Sequence, residues 1–116
     1  MAFNTNFRND AVNAVAQNGA ANVYSLHTGD PGTTGANEVT GGSPPYARKT
    51  ATGFPTSTTG TATNSQVVFD VPPGTISHWG RWKAGVFYEG GALPASELYN
   101  GQGTLGLTHT VSHPAT

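Results

Sequence analysis

Four histidines and six carboxylates are the residues with which this chain could do chemistry. His27 and Asp30 straddle the start of a turn, and Glu38 lies further along the same loop. These three could converge on a cation, but their spacing matches no established ligand pattern. Asp30-Pro31-Gly32 is adequately explained as turn chemistry. His109 and His113 stand four apart, which would pair them on a helix. The Thr-rich alternation around them reads as a strand, where they share a face roughly 13 Å apart. His78, beside Trp79, reads as a half-buried strand residue. The chain has no cysteine, no Gly-x-Ser-x-Gly elbow, and no serine with an evident His and Asp around it. A carboxylate pair for glycoside cleavage would have to come from Asp10, Asp30, Glu38, Asp70, Glu89 and Glu97. Asp70 alternates out of a strong strand and Glu89 precedes Gly90-Gly91, so both read as solvated surface. The glycines after Thr28 do not follow a strand and open a helix in the phosphate-binding arrangement. The residues therefore point to no catalytic, metal or cofactor-binding constellation.

The cluster Trp79-Gly80-Arg81-Trp82 points to contact rather than catalysis. On a strand, Trp79 and Arg81 project one way while Gly80 and Trp82 project the other. One tryptophan then belongs to the core and the other faces solvent or a neighbour. An exposed Trp beside Arg suits a protein interface, and also a sugar-binding platform. Trp79, Arg81 and Trp82 are accordingly candidate interface residues.

The elements that must position these groups are mostly strands. Residues 5–18 form the one convincing helix, with Phe7, Ala11, Ala14 and Val15 on a shared apolar face, Phe3 just ahead of it, and an Asn- and Gln-rich opposite side. Asn4 or Thr5 can cap its start, and Asn18-Gly19 can stop it. A helix of this length must dock on something. Phe3, Phe7 and Val15 are therefore candidate interface residues, and the helix is expected to serve assembly. From residue 22 to 113 the pattern has period two. Strands are predicted at 23–28, 46–52 (an edge), 66–71, 75–82, 84–89, 93–98 and 105–112, with a tight connection near Lys83 to Gly85 and a break at Gly90-Gly91. The stretch 29–45 reads as a long turn-rich loop, ordered only against neighbouring subunits, and 53–65 reads as a surface loop. The expected fold is a single domain over residues 1–116: a small antiparallel β-sandwich or jelly-roll-like barrel with one N-terminal α-helix.

Composition narrows the partners. Charged residues make up 9% of the 116, against roughly 25% in an average soluble domain, and hydrophobic residues 35%, with 16 Gly and 8 Pro. The surface must be built from Thr, Ser, Asn and Gly, over a lean core that docking or oligomerisation would supplement. Five basic and six acidic residues argue against nucleic acid, which needs clustered Lys and Arg. No apolar run approaches the ~20 residues of a membrane span. The start Met-Ala-Phe-Asn-Thr-Asn lacks the blocks of a signal peptide, so the chain is expected to be made in a cytoplasm and not exported by that route.

The stretch Ser25-Leu26-His27-Thr28-Gly29-Asp30-Pro31-Gly32-Thr33-Thr34-Gly35-Ala36-Asn37-Glu38-Val39-Thr40-Gly41-Gly42 resembles a signature in small structural proteins of tailed bacteriophages. Many of these come from phages of actinobacteria and are commonly labelled minor tail or tail fibre proteins. Tyr46-Ala47-Arg48-Lys49, Phe69-Asp70-Val71-Pro72 with Gly74-Thr75, and Ile76-Ser77-His78-Trp79-Gly80-Arg81-Trp82 extend the likeness over most of residues 10 to 107. The resemblance implies a virion component without catalytic residues: a tail-associated subunit, or alternatively a capsid decoration protein or a carbohydrate-binding adsorption module. It also implies other virion proteins and further copies of the chain as partners, with a host-surface glycan as an additional one.

Overall fold

The structure, a computed structural model, describes residues 4–16 and 22–112. Helix α1 spans Thr5–Ala16. Asn4 caps it: its side-chain oxygen accepts the Phe7 backbone N–H at 2.9 Å, satisfying a donor that a helix start leaves orphaned. Phe3, Asn18 and Gly19 lie outside the described residues.

The helix docks on the body through a face other than its Phe7–Val15 stripe. Val12 and Ala16 are its buried residues, whereas Phe7 and Val15 are 49% and 39% exposed. Asn9 and Asn13, expected on the solvent side, face the body. Asn13 Oδ1 accepts the Ser57 N–H at 2.8 Å, and Asn9 Oδ1 accepts the Ser57 hydroxyl at 2.9 Å and the Gly60 N–H. Positions 9, 12, 13 and 16 form one stripe at helical spacing. It is half polar, so a search for apolar residues alone selects the opposite side.

Eight strands follow: β1 (Val23–His27), β2 (Lys49–Thr50), β3 (Thr61–Thr63), β4 (Val67–Val71), β5 (Gly74–Lys83), β6 (Val86–Tyr99), β7 (Gly103–Leu107) and β8 (Thr110–Ser112). Every pairing is antiparallel. A four-stranded sheet runs β2-β1-β5-β6, and β4-β7 and β3-β8 form two-stranded ribbons. Alternation along β4 and β7 turns Val67, Phe69, Val71, Leu105 and Leu107 inward, where they meet Tyr24 and Leu26 of β1 and Ile76 of β5. This is a small β-sandwich with an N-terminal helix. A second cluster of Val12, Ala16, Phe54 and Ala62 seats the helix.

Several sequence expectations shift. Residues 53–65 are not a plain surface loop, because β3 pairs with β8 and Phe54, Ser57 and Asn64 are buried. Gly90-Gly91 does not break the chain. Strand β6 runs through it, paired as Gly80↔Gly90 and Trp79↔Gly91, and a Cβ at Gly90 would come within 2.7 Å of the Trp79 carbonyl. The expected strand at 93–98 is the far part of β6. Pairing steps from His78↔Ala92 to Ile76↔Glu97, so residues 93–96 form a bulge. The terminal strand is split at Thr108-His109 into β7 and β8. The tight connection holds: Ala84 and Gly85 both have positive φ, 50° and 79°, the pattern of a two-residue hairpin turn that matches strand twist.

Candidate interface and binding surfaces

The outer face of the four-stranded sheet carries a buried polar chain. Trp82 Nε1–H donates to Ser25 Oγ at 2.7 Å, leaving the Ser25 hydroxyl hydrogen to His27 Nε2 at 2.7 Å. His27 Nδ1–H then donates to the Ala36 carbonyl at 2.7 Å. Each donor has one acceptor, which assigns the neutral Nδ1–H tautomer. Burial pushes the His27 imidazole below its ordinary value, against the opposing pull of the Ala36 carbonyl.

That chain is roofed by the 29–45 loop. Val39 N–H donates to Leu26 O at 3.0 Å, Thr28 N–H to Asn37 O at 2.9 Å, and Val39 is 3% exposed. Glu38 accepts both Arg48 donors at 3.0 and 2.9 Å and the Tyr46 hydroxyl at 2.9 Å. Burial pushes the Glu38 carboxyl up, yet Arg48 and Tyr46 together hold it below its usual range. The Arg48 guanidinium lies 3.5 Å over the Trp82 ring. The loop therefore has its own partners within the chain, contrary to the expectation that it orders only against neighbours. Its turn opens as read from the sequence, with Gly32 N–H on Asp30 Oδ1 at 2.8 Å.

Arg81 lies on the inner face with no exposed surface. It donates to Glu89 Oε2 at 2.6 Å and to the carbonyls of Val15 and Ala16 at 3.1 Å each. It thereby caps the last described turn of α1, where a cation meets the negative end of the helix. Arg81 and Trp82, both candidate interface residues in the sequence, are buried within their own chain. Arg81 is held by the helix end, and Trp82, 7% exposed, lies beneath Arg48. Phe7 and Val15 reach the surface. Trp79 is half-buried, 4.4 Å from His109 at a 45° tilt.

The groups that could do chemistry are mostly engaged internally. His27 and Glu38 meet at an isolated bridge, each bound to other residues. His109 accepts from Tyr24 rather than pairing along a strand, and His113 lies outside the described residues. Among the described residues no three of His, Cys, Asp and Glu gather for a metal. Sequence reasoning missed the roles of Glu89, read as solvated surface, and of His109, read only by strand spacing. Both depend on contacts far along the chain, and no local signal marks them.

The fold and its surfaces define a small β-sandwich whose polar side chains mainly fasten its own loops and helix. A protein-family model described as Podophage GP4 fiber I protein gp80 matches residues 2–108. The chain belongs to that family, and so is a tail-fibre-type structural protein of a bacteriophage and a virion component. The match is to a podophage fibre family and carries no actinobacterial restriction. Comparison with curated proteins finds no match, and comparison with solved structures finds none.

Proposed function

We propose that the chain is a non-enzymatic, tail-associated subunit that packs against other virion proteins, or further copies of itself, through the outward face of α1. The family match across residues 2–108 carries this reading. It is supported by the internal engagement of Arg81, Glu38 and His27, which leaves them to structure rather than catalysis, and by Phe7 and Val15 standing outward on an anchored helix. Labelling purified particles with antibodies against the chain tests the location. Label confined to the tail supports the proposal, and label over the head surface makes the chain a decoration protein instead. Turnover of host-surface polysaccharide by the purified chain would refute the non-enzymatic part.

A further inference from the structure

The sandwich is open along one side, where the edge strand β6 faces β7 and the Thr108-His109 link. A groove runs there in two connected stretches of about 370 and 420 Å³, both bounded by Leu93, Pro94, Leu107 and Thr108. Its floor is apolar. Glu97 stands at one end, and Trp79, Glu89 and His109 at the other.

Hydrogen-bond valences show what this second end offers. Asn64 Nδ2–H donates to the Tyr24 oxygen at 3.1 Å, so the Tyr24 hydroxyl hydrogen goes to His109 Nδ1 at 2.9 Å. His109 then carries its proton on Nε2. Neither His109 Nε2–H nor Trp79 Nε1–H has a partner among the described residues, and no buried side-chain nitrogen or oxygen there lacks one. Both N–H groups therefore open to the surface. Glu89 gives one oxygen to Arg81 and keeps the other. The space beside the indole N–H exists because residue 91 is glycine: a Cβ would lie 3.2 Å from Trp79 Nε1. The φ of Gly91 is not positive, so its backbone does not require glycine.

Two donors beside a carboxylate oxygen select a ligand by charge and valence. An anion would meet Glu89, and a cation would meet two N–H groups. A hydroxyl both donates and accepts, and suits both. An added peptide strand is disfavoured because β6 bulges at 93–96 and Pro94 has no N–H to offer. We propose that this groove binds a neutral saccharide, its hydroxyls held by Trp79 Nε1–H, His109 Nε2–H and the open Glu89 oxygen, with its C–H face laid on Leu93, Pro94 and Leu107. This recognition role goes beyond a structural one, and it rests on the chain's own geometry rather than on its position in the particle.

The test uses the purified chain without the virion, so its outcome is independent of tail or head location. An array of neutral hexose, deoxyhexose and N-acetylhexosamine oligosaccharides identifies the probe, which is then titrated while the two indole N–H resonances are followed by NMR. Trp82 is the internal control, since its N–H is already bonded to Ser25. The Trp79 resonance should shift saturably while Trp82 stays in place. Trp79→Phe should weaken binding about fivefold to tenfold, the loss of one hydrogen bond. Should that variant not fold, Gly91→Ala carries the same test by filling the space at Nε1. The proposal is overturned if no arrayed saccharide moves Trp79, if binding leaves Trp79 unmoved, or if the folded variant binds as the parent does. A Trp79 shift that follows protein concentration without sugar would assign the groove to a second copy and overturn it equally.

Discussion

Ser25 carries two hydrogen bonds at once, accepting from Trp82 and donating to His27, with no exposed surface of its own. Ser25→Ala orphans a buried donor and a buried acceptor together. The expected cost is roughly 2–6 kcal/mol, at about 1–3 kcal/mol for each unsatisfied group, and chemical denaturation measures it. The histidines add a pH dependence whose sign follows from burial. Burial pushes both His27 and His109 below the ordinary value of 6.5. As the pH falls past 6.5, the unfolded chain takes up protons that the folded chain refuses. Stability is therefore complete above 6.5 and is lost as the pH falls toward the depressed folded values. Melting temperatures from about pH 8 to pH 5.5 should decline through that window, and a flat profile would show both imidazoles to be unperturbed. At this scale the sequence was only partly legible. Asp30 is the turn residue its neighbours imply, and His78 is the half-buried strand residue it was read as. Ser25 looks like any other serine, because its role is created by Trp82, 57 residues away.

At the scale of elements, Arg81 decides how firmly α1 is held. Its guanidinium joins Glu89 on β6 to the carbonyls of Val15 and Ala16. Arg81→Met would leave those carbonyls without their donor and Glu89 without its cation. Breaking a buried pair on one side costs about 3–5 kcal/mol, and the lower end applies here because the Glu89 side chain is 34% exposed. Amide hydrogen exchange should rise first in residues 5–16, ahead of β4 and β7, and uniform acceleration would contradict the clamp. The strand pattern was legible at β1, β4 and the β5–β6 hairpin, where period-two alternation and a turn agree. It misled where pairing partners lie far apart in sequence. The ribbon β3-β8 has too little apolar alternation to stand out, and its residues Ala62 and Val111 become core only once α1 lies over them. The 29–45 loop followed the same logic: its length suggested dependence on neighbours, but Val39, Glu38 and Arg48 bind it to its own sheet.

At the scale of the whole molecule, the helix combines two properties rarely found together. It is fastened by part-buried hydrogen bonds at Asn9 and Asn13 and a buried one at Arg81, yet it turns Phe7 and Val15 outward, two turns apart, with Ala14 also exposed between them. Single exposed apolar residues need no explanation. Leu98, 68% exposed on β6, is one of that kind and serves as a control. An apolar stripe on an anchored helix is different, because it presents a rigid surface at little entropic cost to whatever packs on it. The sequence singles out this same stripe as an assembly surface. Its placement outside is what makes it available to the virion. The double variant Phe7→Ser/Val15→Ser should cost the isolated chain about 1.5–3 kcal/mol, because each side chain is only about half covered and full burial of each is worth about 1.5–3 kcal/mol. The same variant should enter particles at clearly reduced occupancy when it competes with the parent chain during assembly. Leu98→Ser, an exposed apolar position off the helix, should enter normally. Occupancy read by mass spectrometry of purified particles, alongside melting curves of each isolated variant, separates the outcomes. Normal incorporation of the double variant would remove α1 from the assembly surface. A stability loss well above that range would show that Phe7 and Val15 act within the chain instead.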